Sequence, residues 1–135
     1  KDANTAILSM GSVVGTLRDA MDEFPQRGKV KLINLRCFRP FPIEALRKAC
    51  QGVDDLIVLE RALSPGAGGI LGAEVRAALF GQAKAPKVHN FAAGLGGRDV
   101  PLDFYPRLLK AIGNSTSEGF SILDVELDKL PREDR

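Results

Sequence analysis

Four times along this chain a short, largely unbroken apolar run leads through glycine or proline into apolar residues spaced for one helix face. The runs are Thr5 to Met10, Leu32 to Leu35, Leu56 to Leu59 and Lys87 to Ala92. Runs this short that do not alternate with polar residues suit strands covered on both sides, as in a parallel sheet. Parallel neighbours need a crossover of a dozen or more residues, and the helical pattern after each run supplies one. The expected fold class is therefore α/β, a three-layer α/β/α arrangement of a mostly parallel sheet. The visible strands are expected in the order 2-1-3-4.

The helices are set by spacing. Val13, Val14, Leu17, Ala20, Met21 and Phe24 share one face, with Ser12 placed as N-cap and Pro25 and Gly28 as the stop. Ile43, Leu46, Ala49 and Cys50 make the second helix, opened by Pro42 and closed by Gly52. Ile70, Leu71, Val75, Ala78 and Leu79 make the third, ended by Gly81. The last opens at Pro101, turns Leu102, Tyr105, Leu108, Leu109 and Ile112 inward, and closes at Gly113. Residues 1–113 thus read as one domain and 114–135 as a linker and tail. In that tail Phe120, Ile122, Val125 and Leu127 suit either an extra edge strand or a docking helix, and Pro131 to Arg135 a frayed end.

Charge and cysteine usage narrow the class of function. Nineteen basic and seventeen acidic residues leave +2 with no block of like sign, which argues against a nucleic acid or an acidic membrane surface as partner. There is no apolar run of membrane-spanning length and no signal-type segment at Lys1. A first residue other than Met suits a piece of something larger. Cys37 and Cys50 lack zinc-like spacing and read as free thiols of a cytoplasmic protein.

Catalytic constellations are scarce. The only histidine, His89, lies within the fourth strand and is expected to pack in the sheet rather than act as a base. Carboxylates without ligand spacing give no metal site. Gly66-Ala67-Gly68-Gly69-Ile70-Leu71-Gly72 follows a strand and opens a helix, the setting of a dinucleotide fingerprint, but its third glycine falls one position late. Gly94 to Gly97, with Arg98 beside it, suits an anion at a helix start. Left-handed turns are the simpler role for both glycine stretches. A stand-alone anion- or nucleotide-binding module is the alternative they keep open.

The stretch Leu32 to Pro42 ends its strand in Arg36, Arg39, Pro40, Phe41 and Pro42. The prolines push Arg39 and Phe41 out of the helical region, so these side chains stand at the carboxyl end of the strand. Arg39-Pro40-Phe41-Pro42, Glu60-Arg61 and Gly94-Leu95-Gly96-Gly97-Arg98-Asp99, in this order and spacing, resemble one family. They are similar to the transketolase C-terminal-like domain (domain II, of the alpha subunit) of the 2-oxoacid:ferredoxin oxidoreductases, the pyruvate synthase class. The resemblance runs from about Thr5 to Ile112. It lacks the antiparallel strand that such domains usually carry before the first parallel one, leaving open whether the tail supplies that edge.

The resemblance implies a parent enzyme that decarboxylates a 2-oxoacid with thiamine diphosphate, magnesium and coenzyme A, and passes electrons through iron–sulfur clusters to ferredoxin. It implies equally that this domain holds no cofactor, metal or catalytic residue. In the family the diphosphate lies between two other domains, and the clusters sit on cysteine motifs absent here. Its partners would be other domains or subunits of the same oxidoreductase, with Arg39, Phe41, Arg98 and Asp99 as interface candidates. In a 2-1-3-4 order the loops of Arg39 and Arg98 follow the outermost strands, roughly 14 Å apart at the strand spacing. That separation suits a flat contact with another domain better than one small ligand.

Overall fold

The structure, a computed structural model, describes residues 4–25, 30–114, 119–126, 129 and 131. Its elements in chain order are β1 (Thr5–Ser9), α1 (Val13–Glu23), β2 (Val30–Asn34), α2 (Ile43–Ala49), β3 (Asp55–Glu60), α3 (Ile70–Leu79), β4 (Lys87–Ala92), α4 (Phe104–Asn114) and β5 (Phe120–Ile122). All strands pair in parallel in the order β2-β1-β3-β4-β5. The expected 2-1-3-4 order is present, and the tail extends it by one parallel edge strand rather than a docking helix. Gly28, named as part of the first helix stop, lies outside the described residues, as does Leu127.

Two cores follow from the strand period, because successive side chains point to opposite faces. Ala6, Leu8, Leu56 and Val58 face α2 and α3, while Ile7, Ile57 and Leu59 face α1 and α4. The inner strands are buried on both faces, which is why their sequences do not alternate. The outer β2 is only half-buried.

The helix sides and the strand order together fix the hand of the connections. The three crossovers through α1, α2 and α3 share one hand, whereas β4–α4–β5 has the opposite hand, since α4 packs beside α1 while the chain moves outward past β4. Compact β–α–β units are right-handed almost without exception. The three-residue β5 is an appended strand rather than the close of a fourth unit of that kind.

Several helix ends depart from the sequence expectation. Ser12 already has helical φ and ψ (−63°, −31°) and its side chain makes no cap hydrogen bond; Gly11, at φ +82°, makes the turn instead. Pro101 lies before α4, its carbonyl accepting from Phe104 N–H at 3.1 Å. Gly113 does not close α4, which runs through it to Asn114, because glycine accepts helical φ as readily as a left-handed one. Among the described residues no helix is long and apolar enough to cross a membrane.

Candidate functional site

All strands point the same way, so their carboxyl ends and the loops after them form one edge, where ligands and partners of open α/β sheets are met. The last residue of β3 is Glu60, only 6% exposed. A buried carboxylate is costly unless donors surround it. Here Leu71 N–H donates to Oε2 at 2.7 Å, Gly72 N–H to Oε1 at 3.1 Å, and Asn90 Nδ2 to Oε1 at 2.7 Å. The carboxylate thus sits on the positive end of α3 and satisfies two of its orphan amides. Gly69 and Gly72 permit this approach: a side-chain carbon at either position would overlap the Asn90 carboxamide, and at Gly69 the Glu60 carboxylate as well.

The second glycine turn is filled in the same way. Gly94, Gly96 and Gly97 all have positive φ. Gly94 N–H donates to Asp124 Oδ2 at 3.0 Å, and Arg98 Nη1 donates to the Asp124 carbonyl at 2.7 Å. Arg61 braces the turn through Nη2, at 3.2 Å from Gly94 O and 3.4 Å from Arg98 O. At both places where the sequence suggested an external anion, a carboxylate of the chain itself meets backbone donors, Leu71 and Gly72 N–H at the first and Gly94 N–H at the second.

The four interface candidates do not form one cluster. Arg39 pairs with Glu74 of α3 at 2.7 Å, and its guanidinium lies 4.2 Å from the centroid of the Phe38 ring. Phe41 is half-buried against the α2–α3 core, edge-on to Phe38 at 6.1 Å. Arg98 ties the tail to the turn after β4, and Asp99 is exposed beside it. Arg36 is exposed. β4 is no longer an outermost strand, because β5 covers it.

Between these groups lies an apolar cleft of about 370 Å3, lined by Met10, Phe38, Ala62, Ile70 and Leu71, with Glu60 and Arg61 as its polar part. It opens where β2 and β3 diverge on either side of β1, the topological switch point. Met10 is 36% and Ile70 42% exposed, so two large apolar side chains meet water at this cleft.

His89 is elsewhere. It is buried in β4, with Nε2 at 2.7 Å from an oxygen of Asp55, the first residue of β3, and so lies toward the amino end of the sheet. Cys37 is exposed, its Sγ–H within reach of the Arg39 carbonyl at 3.2 Å, and Cys50 is buried in the α2–α3 core. Burial pushes the Cys50 thiol above its usual range, with nearby Lys31 acting in the opposite sense. Among the described residues no three His, Cys, Asp or Glu side chains are grouped to hold a metal.

Glu60, Asn90, Asp124 and Arg61 organise this edge; Glu60-Arg61 enters the sequence reading only as part of the family resemblance, and none of the four is among its interface candidates. For Glu60 the signal was an acidic residue closing an apolar strand ahead of a glycine-rich helix start. Nothing local marks Asp124, which meets Gly94 thirty positions away.

The sequence matches the profile of pyruvate:ferredoxin oxidoreductase core domain II over residues 3–103. A ketoisovalerate oxidoreductase subunit VorA of Pyrococcus horikoshii is 37% identical over 134 residues, covering 98% of this chain and 32% of that protein. The VorA of Pyrococcus furiosus is 41% identical over 100 residues, covering 73% and 25%. A pyruvate synthase subunit PorA of Methanosarcina barkeri is 30% identical over 129 residues, covering 94% and 32%. The chain spans about a third or less of these relatives. Among solved structures, an inactive β4 tetramer of a split-gene transketolase superposes with a TM-score of 0.58 at 16% identity, over 84% of this chain and 38% of that one, a likeness of fold. With the profile matched over most of its length and the transketolase-like parallel sheet in place, the chain belongs to the pyruvate:ferredoxin oxidoreductase core domain II family.

Proposed function

We propose that this chain is a structural and assembly domain of a thiamine-diphosphate-dependent 2-oxoacid:ferredoxin oxidoreductase. The parent would oxidatively decarboxylate pyruvate or a related 2-oxoacid to its acyl-CoA and reduce ferredoxin. Thiamine diphosphate, magnesium, the iron–sulfur clusters and coenzyme A would be held by its other parts. Family membership supports the parent. The observation that carries the assembly role is the apolar cleft at the switch point, where Met10 and Ile70 stand exposed. Apolar groups gathered at one exposed cleft mark a contact surface. Phe41 packs edge-on to Phe38 and Arg39 lies over the same ring, while Arg98 and Asp99 stand exposed after β4 on the same sheet edge; arginine and aromatic residues are the types that dominate contact energies.

Ile70→Asp tests this. An acidic residue in the first turn of α3 favours the helix, so the isolated chain should keep its stability within about 0.5 kcal/mol. In the complete enzyme the same change should lower assembly, read by size-exclusion chromatography, and activity with it. Normal assembly and full activity of the variant would refute the reading.

A further inference from the structure

Beside the apolar cleft, the same edge holds a second cavity of about 290 Å3 with a different lining. Ser12 and Thr16 of α1, Arg61 after β3, and Arg98 and Asp99 after β4 all face it, with two valines between them. Arg61 and Arg98 therefore share one small cavity. Among the described residues neither has a carboxylate within ion-pair distance, Asp99 included. Each guanidinium is held by one arm: Arg61 through Nη2 to the carbonyls of Gly94 and Arg98, and Arg98 through Nη1 to the carbonyl of Asp124. Carbonyls fix where the two groups sit without neutralising their charge. A guanidinium carries five N–H donors, so most of each fork remains available. Two like charges lining one cavity repel, and an anion between them reverses the sign of that interaction.

We propose that this cavity binds a phosphoryl group, anchored by Arg61 and Arg98 and completed by the hydroxyls of Ser12 and Thr16. The choice of anion follows from the donors. Two guanidinium forks and two hydroxyls, set on different walls, exceed what the two oxygens of a carboxylate accept from one end. The three terminal oxygens of a phosphoryl group accept from several sides and match arginine in a bidentate way. The Ser12 hydroxyl is spared for this, since it makes no cap hydrogen bond to α1. The site differs from both glycine turns, where Glu60 accepts from Leu71 and Gly72 N–H and Asp124 from Gly94 N–H. It is built wholly from this chain and stands whether or not the assembly role holds.

Titration of the 15N-labelled 135-residue chain with inorganic phosphate, at ionic strength held constant with chloride, tests the site. Saturable shifts are expected at 12–16, 61 and 98–100, with a Kd of about 1 mM. Arg61→Gln and Arg98→Gln should each weaken binding by about tenfold. Because Arg61 also braces the glycine turn, Thr16→Val serves as the variant that removes a donor without touching that turn, and it too should weaken binding. Arg39→Gln, on the other side of the edge, should change nothing. Glycerol phosphate is the second probe: tighter binding than inorganic phosphate identifies a phosphate ester as the ligand, and equal binding identifies free phosphate. Shifts that chloride reproduces, that fail to saturate, or that scatter over the other arginines would overturn the proposal.

Discussion

Glu60→Gln isolates the cap on α3, because it preserves the shape of the side chain and removes one acceptor and one charge. In the native arrangement Oε2 accepts from Leu71 N–H, and Oε1 from Gly72 N–H and Asn90 Nδ2. A glutamine with its oxygen at the Oε1 position turns its NH2 against Leu71 N–H. Turned the other way, it faces Gly72 N–H, and Asn90 must rotate to offer Oδ1, an atom with no hydrogen-bond partner in the native arrangement. Either choice leaves one buried amide of the helix start unsatisfied, at about 1–3 kcal/mol. Loss of a negative charge at a partly buried helix N-terminus adds about 1 kcal/mol. The total, about 2–4 kcal/mol, is a large share of a domain's usual stability of roughly 5–15 kcal/mol. Urea unfolding of the chain followed by circular dichroism reads it as a lower midpoint at unchanged slope. Glu44→Gln in the first turn of α2 is the control: that side chain is 87% exposed, and its loss should stay within about 0.5 kcal/mol. If Glu60→Gln costs no more than that control, the carboxylate does not hold the helix start and the argument fails.

The two glycine environments predict opposite signs for one substitution. Gly72→Ala drives a carbon into the Asn90 carboxamide and should destabilise by about 2–3 kcal/mol, whereas Gly15→Ala in α1 meets open space and should stabilise by about 0.5–1 kcal/mol; equal effects in thermal melts would contradict the close packing at Glu60. The raised Cys50 thiol makes a pH prediction. A thiol held protonated in the fold but free to ionise when unfolded contributes stability that is complete below the unfolded pKa, ordinarily 9.0, and is lost as pH rises toward the raised folded value. Tyr105, also raised by burial, adds the same trend from pH 10.0 upward. Melts between pH 8 and pH 10, each about one unit from the thiol value, should therefore show falling stability, and Cys50→Ala should flatten the curve; an unchanged slope in that variant would remove the thiol as its cause.

Local pattern determined the architecture. β4 runs over Lys87–Ala92 as the apolar run indicated, and β3 and α3 begin and end within a residue or two of theirs. These elements are legible because a strand buried on both faces and a helix with one buried face leave different periods in the chain. Arg39, Phe41, Arg98 and Asp99 were likewise placed on the carboxyl edge by their position after strands. Only the tertiary structure decided what the edge does with them. Glu60 reaches α3 eleven positions on and Asn90 thirty, and Asp124 closes a turn after β4 from the far side of α4. The edge strand β5 pairs through three residues that could have suited a helix equally well. Periodicity records which face of an element is buried. It carries no record of which distant carboxylate fills a given set of amides, because that choice depends on the sheet order and on the space that Gly69 and Gly72 leave open.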